Sequence, residues 1–144
     1  MATLSPISAE TVRILDLVAA DLPDELALAG LVGRGLPTHS IDVLLEMGMA
    51  ETDIHKLVLS RRTFQRRRTS HSVLTPEESD RTERVARILA LARLVLGDTP
   101  RAMNWLSTTK RRFDNRRPLD LLVSSVGTKI VEETLLQAYY GNVA

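Results

Sequence analysis

The stretch whose reading decides the fold is Thr75-Pro76-Glu77-Glu78-Ser79-Asp80-Arg81-Thr82-Glu83-Arg84-Val85-Ala86-Arg87-Ile88-Leu89-Ala90-Leu91-Ala92-Arg93-Leu94-Val95-Leu96-Gly97. Its opening is a strong helix start. The Thr75 hydroxyl accepts an orphan amide proton, Pro76 fits the first turn, and Glu78 completes a capping box. Val85, Ile88, Leu89, Ala92, Val95 and Leu96 then recur at helical spacing until Gly97 stops the run. A helix with one apolar stripe needs other helices to bury it. The composition agrees: aromatics make up 3% and Cys is absent, so neither disulfides nor thiolate metal sites hold the fold. The core must come from Leu, Val, Ile and Ala.

Working toward the N-terminus, the same punctuation repeats. Ser8 is expected to cap a helix over residues 8–20, with Val12 and Leu15 inward. A second helix starts at Asp21 to Pro23 and fades into Gly30, Gly33 and Gly35. A third spans residues 38–47, with Ile41, Leu44 and Leu45 inward and Gly48 as its stop. Residues 51–58 and 60–69 make two short helices. Toward the C-terminus, Asp98-Thr99-Pro100 starts a helix through Trp105-Leu106, and Pro118 starts a short one. Residues 125–140 read as a last helix, with Gly127, Ile130, Val131, Thr134, Leu135 and Ala138 along one stripe and Gly141 closing it. No alternating strand, repeat or low-complexity tract appears. The fold class expected is all-α.

The net charge of +1 conceals segregation. Residues 1–59 hold three Lys/Arg against nine Asp/Glu, whereas residues 60–117 hold fifteen against six. A basic surface between acidic ones is implied. Its sharpest part is Ser60-Arg61-Arg62-Thr63-Phe64-Gln65-Arg66-Arg67-Arg68-Thr69. With Ser60 as cap and Phe64 inward, a turn of about 100° per residue sets Arg62, Gln65, Arg66 and Thr69 outward. Arg bonds bidentate to guanine and Gln to adenine in the major groove, while neighbouring arginines neutralise phosphates. The DNA-contact set is therefore Arg61, Arg62, Thr63, Gln65, Arg66, Arg67 and Thr69. Thr52 to Val58 supplies the scaffold half of a helix-turn-helix, although Val58 stands where many such joints carry Gly. The same arginines also fit a solvated face, or an acidic protein surface.

In the second half, Leu96-Gly97-Asp98, Ala102, Trp105-Leu106, Pro118-Leu119-Asp120-Leu121-Leu122, Gly127, Val131-Glu132, Leu135 and Tyr139-Tyr140-Gly141-Asn142-Val143-Ala144 fall in an order that resembles the toxin-binding domain of the Xre/MbcA/ParS antitoxins, the partners of RES-domain toxins. The first half is similar to the Xre-like helix-turn-helix of the same family. The resemblance implies a helix-turn-helix lobe over residues 1–74 and a small helical toxin-binding lobe over residues 75–144. It also implies an antitoxin that occludes the NAD site of a cognate RES-domain toxin and represses its own operon by binding operator DNA. The terminal residues Tyr140, Gly141, Asn142, Val143 and Ala144 would enter or abut the toxin cleft. Trp105 reads as core rather than contact. Arg111, Arg112, Arg116 and Arg117 form a second basic cluster on a loop where related sequences commonly carry Gly. It could extend the DNA surface, pair with acidic toxin residues, or stay solvated.

A reader of a two-fold operator is expected to be a homodimer. Enzymatic chemistry is not expected, and neither is a cofactor. His39, His55 and His71 are scattered, with His55 expected to face solvent, and no Walker, dinucleotide or nucleophile-elbow motif occurs. The N-terminus lacks signal-peptide features and no run is long enough to span a membrane, so a cytoplasmic protein is expected. Two rivals stand beside this reading: a free-standing helix-turn-helix transcriptional regulator whose second lobe dimerises, and a helical adaptor whose arginines contact protein.

Overall fold

The structure, a computed structural model, describes residues 3–17 and 21–141. Among them the regular elements are helical: α1 (Pro6–Ile14), α2 (Glu25–Arg34), α3 (His39–Glu46), α4 (Glu51–Leu57), α5 (Arg61–Ser70), α6 (Pro76–Leu96), α7 (Thr99–Ser107), α8 (Pro118–Leu121) and α9 (Ser125–Gly141), with a 3₁₀ turn at Arg111–Phe113. The only extended pairing among the described residues is an isolated bridge between Lys110 and Arg116. No described helix is long and apolar enough to cross a membrane.

Two compact units divide the chain at Arg87 and Ile88, inside α6. Side chains on the first half of α6 fasten it to the N-terminal unit. The Ser79 hydroxyl accepts the Leu36 amide at 2.8 Å, Arg81 donates to the Val58 carbonyl at 2.7 Å, and Glu78 pairs with Arg67. A capping box read from sequence marks where a helix begins, and tertiary contacts decide which unit its turns join.

In the N-terminal unit α1 begins earlier than expected. Ser5, not Ser8, is the cap, accepting the Ser8 amide at 3.1 Å with Pro6 in the first turn. Ser8 is fully buried instead. Its hydroxyl donates to Glu25 at 2.8 Å and accepts from Arg87 at 3.0 Å. The helix ends at Ile14, two residues before Asp16 turns to a φ of 55°. Burial opposes ionisation of Glu25, but bonds from Ser5 and Ser8 and the Arg87 charge outweigh it and hold the carboxyl below its ordinary value.

Asp24 caps α2, which runs through Gly30 and Gly33 and stops at Gly35. There φ is +116° and an added Cβ would lie 2.3 Å from the Leu74 carbonyl oxygen, so glycine is required. Val12, Leu22 and Leu28 pack together under Leu4, Leu17, Leu31 and Val32. Ile41, Leu44 and Ile54 are fully buried, each stabilising by roughly 1.5–3 kcal/mol relative to exposure. Leu45, expected inward, is only half-buried.

In the C-terminal unit Ala102, Leu106, Leu119, Leu122, Val131 and Leu135 make the core. Gly127 sits where α9 passes the end of α8: an added Cβ would meet the Leu121 carbonyl oxygen at 2.0 Å. The buried face of α9 is Gly127, Thr128, Val131 and Leu135, rotated from the expected stripe. Ile130 is left 45% exposed. Thr128 turns inward because the Ser124 carbonyl satisfies its hydroxyl at 2.8 Å, which removes the penalty for burying it.

Candidate functional site

The local build of α5 starts at Ser60, whose hydroxyl accepts the Thr63 amide at 3.2 Å and donates to the Thr63 hydroxyl at 2.9 Å. Before it, Val58 adopts φ −116° and ψ −66°, and its amide donates to Ile54 at 2.9 Å. That joint needs no left-handed residue, so Val serves where Gly is common in other such turns. Leu57, Val58 and Leu59 are all buried, and Phe64 inserts beneath the joint with 5% exposure. His55, expected to face solvent, is half-buried: its Nδ1 lies 3.1 Å from the Leu59 carbonyl and its ring leans on Phe64 at 6.3 Å.

This packing fixes which arginines α5 presents. Arg61, Arg62, Gln65, Arg66 and Thr69 are exposed, and Thr63 is half-exposed at the cap. Among the described residues no carboxylate pairs with Arg61, Arg62 or Arg66. The Thr69 hydroxyl proton is committed to the Gln65 carbonyl at 2.9 Å. Arg67 differs from the rest of the sequence-based set. Its guanidinium donates twice to Glu78, at 2.9 and 3.2 Å, with its side chain 18% exposed. Arg68 bonds Asp42 and lies over the Phe64 ring at 4.5 Å. Two of the five arginines thus anchor the helix, and three face outward.

Glu78 is the residue that sequence reasoning under-read. Its carboxylate accepts the Thr75 amide at 2.9 Å, completing the capping box, and takes the Arg67 fork as well. Burial disfavours its charge, yet the Arg67 guanidinium and the Thr75 bonds prevail and lower its pKa. The capping motif was visible in the sequence; the distant arginine was not.

The remaining histidines sit in or beside turns. His39 lies 3.5 Å from Asp16, and His71 takes the left-handed C-cap of α5.

In the C-terminal unit the 3₁₀ turn opens a tight hairpin. The Lys110 amide donates to Arg116 at 3.1 Å and the Asn115 amide to Lys110 at 2.9 Å. Asp114 and Asn115 both take positive φ, 60° and 61°. Asp and Asn tolerate that region best after Gly, so the pair performs here the turn that a Gly-rich loop makes elsewhere. Arg117 leaves the basic cluster: its guanidinium binds Asp120 at 2.7 Å and its amide caps α8 through the same carboxylate at 3.0 Å. Arg111, Arg112 and Arg116 remain at or near the surface. Trp105, expected in the core, is only half-buried. It meets Phe113 edge-on at 6.3 Å and carries Lys110 over its face at 5.2 Å. At the end of α9, Tyr140 is 64% exposed and Gly141 is the last helical residue, not a stop beyond it. The other expected tail residues, Asn142, Val143 and Ala144, lie outside the described residues.

A helix-turn-helix unit with an unpaired basic stripe on its second helix, carried in one chain with a small helical lobe, defines a two-unit all-α protein. Residues 27–87 match the antitoxin Xre-like helix-turn-helix domain, and residues 91–141 match the antitoxin Xre/MbcA/ParS C-terminal toxin-binding domain. The chain is 38% identical over 98 residues to Antitoxin Xre of Pseudomonas putida, covering 68% of this chain and 62% of that protein. It is 39% identical over 67 residues to Antitoxin Xre of Yersinia enterocolitica, covering 46% of this chain and 45% of that one. The chain belongs to the Xre antitoxin family. It spans less than two thirds of the length of these curated relatives.

Proposed function

We propose that this protein is an antitoxin with two activities: it occludes the NAD site of a cognate RES-domain toxin through its C-terminal domain, and it represses its own operon by binding operator DNA as a homodimer. The observation that carries the reading is the coexistence in one chain of an outward, unpaired Arg62–Gln65–Arg66 stripe on a helix-turn-helix and a match to the toxin-binding domain. Arg62, Gln65 and Arg66 are the base readers. Arg61, Thr63 and Thr69 contact phosphates or flank them. Arg67 holds α5 in place and contributes to DNA binding only through that positioning. The exposed Tyr140 and the residues after it reach the toxin cleft. Occlusion needs no chemistry from the antitoxin itself.

Co-expression with the protein of the neighbouring reading frame tests the first activity. The full chain should protect the host, and removal of residues 141 to 144 should restore toxicity while leaving a folded protein. Gel shift on the upstream duplex tests the second. Affinity should fall steeply with salt, and Arg62→Ala with Arg66→Ala should cost about 1–3 kcal/mol for each base-reading arginine removed. A double variant that binds the duplex as tightly as the parent rejects the DNA assignment. A full chain that neither protects nor co-purifies with the neighbouring protein rejects the antitoxin assignment.

A further inference from the structure

We propose that the arginine hairpin and the adjoining outer face of α9 form a single protein-docking surface, fitted to a partner element that presents aliphatic side chains ringed by carboxylates. The inference rests on the antitoxin reading, and it extends the toxin contact from the exposed Tyr140 back along α9 to the hairpin. Arg111, Arg112 and Arg116 project from a loop of fixed shape. Arg112 lies over the Phe113 ring at 5.8 Å, and the Arg116 Nε donates to the Phe113 carbonyl at 3.3 Å. Among the described residues no carboxylate pairs with any of the three.

The same shallow depression that these arginines rim is also lined by Leu121 and Ile130. Ile130 is 45% exposed, Val126 one turn before it on α9 is 71% exposed, and Val123 just ahead of the helix is 55% exposed. At about 100° per residue, Val126, Ile130, Glu133, Gln137 and Tyr140 lie along one face of α9. The stripe therefore continues from the hairpin to the 64%-exposed Tyr140. Aliphatic side chains left this open are stabilised when covered, at roughly 25 cal/mol per Å² of apolar area.

Charge complementarity selects the occupant. A phosphate backbone would take the guanidinium groups but offers nothing to cover Val126 and Ile130. A protein surface supplies both an apolar centre and an acidic rim, the usual anatomy of a specific interface. The arginines then steer encounter and fix register, while the aliphatic centre slows release.

The test uses the full chain and the protein of the neighbouring reading frame, the toxin of the antitoxin reading, with the upstream duplex as the second probe. Two variants are compared with the parent: Arg111→Ala/Arg112→Ala/Arg116→Ala, and Val126→Asp/Ile130→Asp. All five positions are solvent-accessible, and circular dichroism verifies the fold. Each variant should bind the toxin at least ~10-fold more weakly, as expected when rim charges or a hydrophobic centre are removed. Duplex affinity should not change. The arginine variant should act mainly through the association rate and lose its effect at high salt. Toxin affinity unchanged in either variant overturns the surface, as does loss of duplex binding with toxin binding intact. A parent chain that does not bind the toxin removes the antitoxin reading, and the surface falls with it. A parent that binds, beside variants that bind equally well, removes the surface alone.

Discussion

Replacing Glu78 isolates the contact that ties α5 to α6. The carboxylate is 8% exposed and its Arg67 partner 18%, and it also accepts the Thr75 amide. Glu78→Ala removes a helix cap worth about 1 kcal/mol. It also leaves a mostly buried guanidinium without its counter-charge, a loss of about 3 kcal/mol. The expected destabilisation is therefore about 4 kcal/mol, a large fraction of the stability of a small domain. Glu78→Gln retains an acceptor for the Thr75 amide and should cost about 2 kcal/mol, the weight of the charge-assisted bonds.

Urea unfolding followed by far-UV circular dichroism measures both variants. Combining Glu78→Ala with Arg67→Ala should cost less than the two single changes together, by about 2 kcal/mol, since each single change strands the other group. The pH dependence has a definite sign. The Glu78 pKa is depressed in the folded state from its ordinary 4.5, so the stabilisation is fully present above that value and fades as pH falls through the lower, folded value. Parent and Glu78→Gln should differ by a constant amount from pH 6 to 8 and converge in stronger acid. A loss below about 1 kcal/mol for Glu78→Ala, or strict additivity in the cycle, refutes the anchoring role.

Other expectations follow from single positions. Gly127→Ala would drive a Cβ to 2.0 Å from the Leu121 carbonyl oxygen. It should destabilise the C-terminal unit by more than about 3 kcal/mol, whereas Gly141→Ala, with nothing within 4 Å, should leave thermal unfolding unchanged. At Asn115, whose φ is +61°, substitution by Gly should be neutral or slightly stabilising and by Val destabilising by roughly 1–2 kcal/mol, read by the same scan. Val58→Gly, at a 2%-exposed position with negative φ, should destabilise by about 2 kcal/mol or more rather than improve the turn.

Much of the architecture is local and therefore legible in the chain itself. Caps at Ser60, Thr75 and Asp98, prolines at the first turns of α6, α7 and α8, and the left-handed stop at Gly97 act over three or four residues, so their identity and spacing suffice. The same rule applied to Ser5-Pro6 finds the true start of α1, which a Ser8 cap misplaces. The outward Arg62–Gln65–Arg66 stripe is also local, because one buried Phe64 fixes the helix phase. What lies outside local reach is pairing across distance. Arg67 and Arg68 are indistinguishable in sequence from Arg62 and Arg66. They become anchors because Glu78 and Asp42 arrive from other helices.

The sequence by itself determined the helices, their caps and the basic face of α5, since those depend on side chains meeting the backbone a turn away. Only the tertiary structure decided that the units part inside α6, that Thr128 and not Ile130 turns inward, and that three arginines of the hairpin stand beside uncovered aliphatics. These outcomes turn on burial and on charge compensation between remote residues. Both are properties of the packed chain that no local pattern encodes.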